Sequence, residues 1–149
     1  MKVALGCDHG GFDVISNVVK YLETKGIDCD YVGTFSNDSC DYPDFAKLVC
    51  EKVASNEADY GILICGTGIG MSIVANKIKG IRCAHVNDAF SAEFTRRHND
   101  TNVIALGARI ATASEIVNYV DIFLNTEFEG GRHANRVNKI TEIENKYFK

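Results

Sequence analysis

Cys65 opens the run Cys65-Gly66-Thr67-Gly68-Ile69-Gly70, a thiol followed by alternating glycines. A turn of this kind aims backbone N–H groups at one point, and a helix N-terminus behind it adds to the same field. Such a loop stabilises negative charge and favours the thiolate, the reactive form of cysteine. It is not a dinucleotide fingerprint, which needs glycine where Met71 stands and should follow the first strand. Nor is it a P-loop, because no Lys-Ser/Thr closes it. What remains is an anion hole with a cysteine at its lip, or a buried strand-end cysteine above a turn.

Three further stretches carry chemistry. Gly6-Cys7-Asp8-His9-Gly10-Gly11 sets a carboxylate beside an imidazole, and its glycines permit a sharp turn and a close ligand approach. The alternative is that Asp8 caps a helix and His9 is solvated. Arg96-Arg97-His98-Asn99 ends a helical pattern. The arginines there suit the negative end of a helix dipole, while His98 and Asn99 are candidates for a polar ligand. Arg132 and Arg136, with His133 between them, share one helix face at i, i+4 spacing. Two like charges side by side suggest a shared anion, and arginine forks match phosphate oxygens. Arg109 could join them; a solvated basic face is the alternative. His85 reads as a core or interface residue. Cys7, Cys29, Cys40, Cys50 and Cys83 read as small buried structural residues.

The elements that must position these groups alternate between strand and helix. Strands are expected at Val3–Gly6, Asp28–Val32, Tyr60–Cys65, Ile81–Val86 and Val103–Gly107. A helix is expected over Phe12–Lys25, with Ile15, Val18, Val19 and Leu22 on one face and Gly26 as its stop. Gly33–Asp41 is a polar loop. Pro43 suits the first turn of a helix reaching about Ser55. Others follow over Met71 to about Lys77, Asp88–Arg97, Thr112–Leu124, and about 132–148 after Gly130-Gly131. Continuous apolar strands between helices imply a parallel sheet covered on both faces. Ligands then bind beyond the strand C-termini, where Asp8 and Cys65 fall.

Composition excludes several classes. The net charge of −4 argues against broad nucleic-acid or anionic-membrane binding. No apolar run approaches the ~20 residues of a membrane span, and the N-terminus has no signal-peptide pattern, so a cytoplasmic protein is expected. No cysteine pair has C-x-x-C spacing, which speaks against a zinc ribbon or a thioredoxin motif. Without repeats or linkers, residues 1–149 are expected to form one domain.

Together, Asp8-His9-Gly10-Gly11, Asp41-Tyr42-Pro43, Cys65 through Met71, Asn76-Lys77, His98-Asn99, and Gly131-Arg132-His133 with Arg136 resemble the B-type ribose-5-phosphate isomerases. The likeness covers essentially the whole chain. It implies a Rossmann-like three-layer α/β/α sandwich with a five-stranded parallel sheet, and no metal or organic cofactor. It implies a homodimer or a tetramer built from dimers, with sites at the subunit interface and the C-terminal helix contributing to it. The implied reaction interconverts ribose 5-phosphate and ribulose 5-phosphate, in the non-oxidative pentose phosphate pathway. The same family includes isomerases of allose 6-phosphate and galactose 6-phosphate, so a six-carbon substrate is the nearest alternative. Some members place a Glu on the loop as base. Here that position is Met71, which groups this chain with the cysteine-base members.

By the resemblance, His98, assisted by Asp8, opens the sugar ring. Cys65 then moves a proton from C2 to C1 through a cis-enediolate. Thr67 and the amides of Gly68, Ile69 and Gly70 hold the negative oxygen, with Gly66 beside them. Tyr42 and Asn99 hold sugar hydroxyls, and His9, Arg109, Arg132 and Arg136 bind phosphate. In the family the C-terminal arginines are usually lent by the neighbouring subunit. Two other classes share some of these residues. A non-catalytic sugar-phosphate sensor needs no thiol, and a cysteine hydrolase needs a persistent covalent adduct.

Overall fold

A computed structural model describes residues 1–149. In chain order the elements are β1 (Lys2–Cys7), α1 (Phe12–Thr24), β2 (Asp28–Tyr31), α2 (Tyr42–Ala54), β3 (Tyr60–Cys65), α3 (Ile69–Ala75), β4 (Cys83–His85), α4 (Ala89–Asn99), β5 (Val103–Gly107), α5 (Ala113–Leu124) and α6 (Arg132–Tyr147). All strand pairs are parallel, in the order β2-β1-β3-β5-β4. The chain steps outward from β1 to β2, then returns to place β3 on the other side of β1. The crevice between β1 and β3 is therefore a topological switch point.

The central strands lack alternation because both faces are covered. Val3, Leu5, Ile62, Ile64, Ile104 and Leu106 pack under α1, α4 and α5. On the other face Ala4, Leu63 and Ala105 meet Val49 and Val53 of α2 and Met71 and Ala75 of α3. The result is a three-layer α/β/α fold, with α6 laid against α4. No helix is long and apolar enough to cross a membrane.

Local chemistry sets most boundaries. Thr112 and Glu115 form a reciprocal capping box that starts α5. The Asp88 side chain accepts the Ser91 N–H at 2.6 Å and starts α4. That helix runs on through His98 and Asn99, because Asp100 ends it in a left-handed conformation. The fourth strand is shorter than its apolar run, since Asn102 Oδ1 takes the Arg82 N–H at 2.9 Å. The third helix starts earlier than expected, with Gly70 inside its first turn. On α1, Ile15, Val18 and Leu22 are buried, while Val19 is only partly so.

Arg96, in the last turn of α4 as expected, is only 5% exposed. Its guanidinium donates to Asp100 Oδ1 at 2.8 Å, the Thr101 carbonyl at 2.6 Å and the Tyr60 hydroxyl at 3.3 Å. It also lies over the rings of Tyr60 and Phe123. Phe123 is fully buried and meets Tyr60 edge-on at 5.4 Å. Phe123→Ala should therefore lower unfolding stability by about 3–5 kcal/mol in urea titration. A loss under about 1 kcal/mol would show that the layer over β3 is not packed as described.

Candidate active site

The parallel register delivers the chemistry-bearing residues to one edge. Cys7 lies opposite Ile64, and Cys65 opposite Gly107. The ladder continues past the strands. Asp8 N–H donates to the Ile64 carbonyl at 3.3 Å, and Ala108 and Arg109 N–H donate to Cys65 and Gly66 carbonyls at 2.9 Å each. Asp8, Cys65 and Arg109 thus emerge from neighbouring strands. The buried Asp8 carboxylate accepts the Gly10 N–H at 2.8 Å and holds the turn. It does not cap α1, whose N-cap is Gly11. His9 Nδ1 accepts the Cys40 N–H at 3.2 Å, so in the neutral ring Nε2 carries the proton.

The glycine loop closes over the sulfur. The Gly68 N–H donates to Cys65 Sγ at 3.0 Å, the geometry by which an amide holds a sulfur anion. Gly68 does so at φ 83°, a left-handed conformation that disfavours any side chain. The Ile69 N–H goes to Thr67 Oγ1 at 3.2 Å. Of the three amides expected to serve a ligand, two are therefore engaged within the loop, and the Gly70 N–H is without an intrachain partner. A Cβ on Gly66 would stand 2.7 Å from Arg109 Nη1, and one on Gly70 would stand 2.6 Å from Tyr42 Cζ. Bare backbone lets the guanidinium and the phenol lie directly on the loop. Arg109 has no ion-pair partner.

His98, Asn99, Arg132 and Arg136 are not brought to this edge. Arg96, two residues before His98, bonds to Tyr60, the first residue of β3, whereas Cys65 is the last. Five steps of strand separate these ends, about 16 Å. At the far edge the rings of His98 and His133 stack at 4.1 Å, which fixes Arg132 there too. Glu129 Oε1 accepts Arg97 Nε at 2.9 Å and lies 3.6 Å from His98 Nε2. Its other oxygen is 4.0 Å from His133. Burial, and then the facing His98, push the His133 imidazole below its ordinary pKa. These three side chains gather their polar atoms within 4.8 Å. The stacked rings are only 11° from parallel, so their lone pairs run side by side rather than converging, and Arg97 already neutralises the carboxylate. Arg132 and Arg136 are exposed and carry no ion pair.

Several contributors escape sequence reasoning. His85, expected in the core or an interface, is partly exposed and points Nε2 at the Thr67 carbonyl, 2.6 Å away. Gly107 makes room for that same carbonyl: a Cβ there would stand 2.5 Å from it. Cys40 orients His9 through its amide, with its sulfur 3.8 Å from the same Nδ1. Only Glu129 left a trace, as an acid four residues before His133 on the approach to α6.

Comparison with known proteins adds to this geometry. The Ribose/Galactose Isomerase family matches residues 3–140. Ribose-5-phosphate isomerase B of Escherichia coli is 46% identical over 143 residues, covering 96% of each chain. The structure of a ribose-5-phosphate isomerase B from Clostridium thermocellum superposes with a TM-score of 0.97 at 48% identity, over 99% of each chain. That of Mycoplasma genitalium, solved with bound ribulose-5-phosphate, superposes with a TM-score of 0.94 at 40% identity, over 97% of each.

The loop predicts a selective thiol. Burial pushes Cys7 and Cys29 up to about 11 and Cys50 up to about 12, and raises Cys83 as well. Near neutral pH, iodoacetamide should modify Cys65 before the more exposed Cys29 and Cys83, as read by peptide mass spectrometry. Labelling that follows exposure instead would show that the Gly68 amide does not activate the sulfur.

Proposed function

This chain belongs to the Ribose/Galactose Isomerase family, and from that membership we propose that it interconverts ribose 5-phosphate and ribulose 5-phosphate, an aldose–ketose isomerisation. Whole-length relatives named for this reaction support the five-carbon substrate; the six-carbon alternative is not favoured. At residue level, the reading is carried by one observation: the Gly68 N–H on the Cys65 sulfur, at the switch point where such folds bind ligands.

In the proposed mechanism the Cys65 thiolate removes the C2 proton of the open-chain sugar. The electron pair forms the C1–C2 double bond of a cis-enediolate, and negative charge develops on the C1 oxygen. The O2 hydroxyl proton passes to O1, the electron pair left on O2 forms the C2 carbonyl, and the thiol delivers its proton to C1. Thr67 and the free Gly70 N–H stabilise the charged oxygen. Preorganised donors of this kind are typically worth ~10²–10³ in rate each. The phenol of Tyr42, resting on Gly70, orients sugar hydroxyls. His9, with its Nε2–H free, and the unpaired Arg109 receive phosphate oxygens.

The working site is composite. The ring-opening acid His98, with Asn99, Arg132 and Arg136, comes from a second copy of the chain, and Asp8 of the first copy assists. Two observations support this. Arg96, in the same helix turn as His98, bonds to Tyr60 at the opposite end of β3 from Cys65, about 16 Å along the strand, and two free guanidiniums at i, i+4 spacing have no counter-charge of their own. We therefore take the protein as a homodimer, or a tetramer of dimers. Ile140, Ile143 and Tyr147 are exposed on α6 and suit that helix to subunit contact. Six free cysteines suit a reducing cytoplasm.

In D₂O, wild-type turnover of ribose 5-phosphate should place deuterium in the product. Cys65→Ala should reduce kcat roughly 10²–10⁴-fold with little change in KM. A Cys65→Ala enzyme that keeps most of its rate removes the thiol from the mechanism. Allose 6-phosphate should turn over more slowly than the pentose, and the reverse order would reassign the substrate.

Complementation tests the shared site. Cys65→Ala and His98→Ala, each inactive alone, should regain about a quarter of wild-type activity when mixed and allowed to exchange. Half of the dimers are then hybrid, and each hybrid has one intact site. No recovery, with exchange verified by native mass spectrometry, would place both residues in one chain's site.

A further inference from the structure

One imidazole that no step of the isomerisation uses stands directly behind the glycine loop. His85 ends the edge strand β4, held in register opposite Ala105. Its Nε2 lies 2.6 Å from the Thr67 carbonyl oxygen. A carbonyl only accepts, so this nitrogen carries the proton. The same carbonyl belongs to the peptide unit joining Thr67 to Gly68. No peptide bond in the chain is cis, so the C=O and N–H of that unit point in opposite directions. Its N–H is the one that donates to Cys65 Sγ at 3.0 Å. The four groups form one row: imidazole N–H, carbonyl, amide N–H, sulfur.

Packing holds the row in place. A Cβ on Gly68 would stand 2.8 Å from His85 Cδ2 and 2.9 Å from the Leu106 carbonyl carbon. The imidazole is thus pressed against the glycine whose amide reaches the sulfur. Hydrogen bonds in series polarise one another, so a donor at the carbonyl strengthens the N–H at the other end of the peptide.

We propose that His85 is a positioning residue for the isomerisation, orienting and polarising the Thr67–Gly68 peptide so that its N–H holds the Cys65 thiolate. This rests on the reading of Cys65 as the base. His85 touches neither substrate nor sulfur; it acts through one peptide unit. Arg109 from the β5 side flanks Gly66, Asp8 from the β1 side flanks Gly10, which lies against the Gly66 amide, and both charged residues stay unchanged in the variants below.

The test uses the full chain with His85→Leu, which removes the donor, and His85→Gln, which restores one. The readouts are the pH dependence of Cys65 alkylation by iodoacetamide, followed at that peptide by mass spectrometry, and the pH profile of kcat/KM. His85→Leu should move the alkylation midpoint to higher pH and slow the reaction near neutral pH about two- to tenfold, the size expected of one neutral hydrogen bond. The acidic limb of kcat/KM should move with it, with KM held, and His85→Gln should recover most of the loss. A His85→Leu alkylation profile that superimposes on wild type would overturn the proposal. So would a His85→Gln variant that is folded by circular dichroism yet as impaired as His85→Leu. If leucine unfolds the edge strand, His85→Met keeps bulk without the donor and takes its place. Alkylation reads the sulfur itself, so this result stands apart from whether Cys65→Ala abolishes turnover.

Discussion

Everything at the cysteine edge depends on backbone meeting backbone with no Cβ between. Gly11 lies against the Ile64 carbonyl, Gly107 against that of Thr67, and Gly10 against the Gly66 amide; a Cβ at these positions would sit 2.5 to 2.9 Å from its neighbour. Three strand ends can therefore crowd around one sulfur, with a turn bonding back onto it. Gly68 adds a conformational requirement to the steric one, because its φ of 83° aims the amide inward. A loop so crowded has little freedom to reorganise, which is what electrostatic stabilisation of a developing charge needs.

Charge is divided between the two ends of the sheet. Cys65, Asp8 and Arg109 stand where the strands finish, and Arg96, Arg97, Glu129, His98 and His133 where they begin. At the far end the ionic groups are mostly satisfied: Arg97 bridges Glu93 and Glu129, and Arg96 is surrounded by carbonyls, a carboxylate and two rings. Arg132 and Arg136 stand exposed on α6 with no ion-pair partner. On the proposed reading, the free guanidiniums of one copy and the thiol with its amide donor on another are complementary parts of one site.

Much of the fold was legible in local signals. Tyr60–Cys65 and Val103–Gly107 are continuous apolar runs, and they are the observed third and fifth strands. Capping residues and Pro43 located helix starts to within a residue or two. Errors fell where a non-local bond competed. Asn102 shortened the fourth strand by taking the Arg82 amide. The burial of Arg96 was not legible because two of its partners, Tyr60 and Thr126, are distant in sequence.

The sequence by itself determined the parallel α/β architecture, the edge at which Asp8 and Cys65 stand, and the pairing of Cys65 with a glycine turn. These depend on periodicity, on glycine's lack of a Cβ and on the rule that parallel strands finish at one edge, all of which are readable within a few residues. Only the tertiary structure decided that the Gly68 amide bonds to sulfur, that His85 stands behind that peptide, and that His98 with the C-terminal arginines lies a strand's length away. Each depends on where one element sits against another. Side-chain direction and inter-element distance follow from packing, and residue spacing along the chain does not encode them.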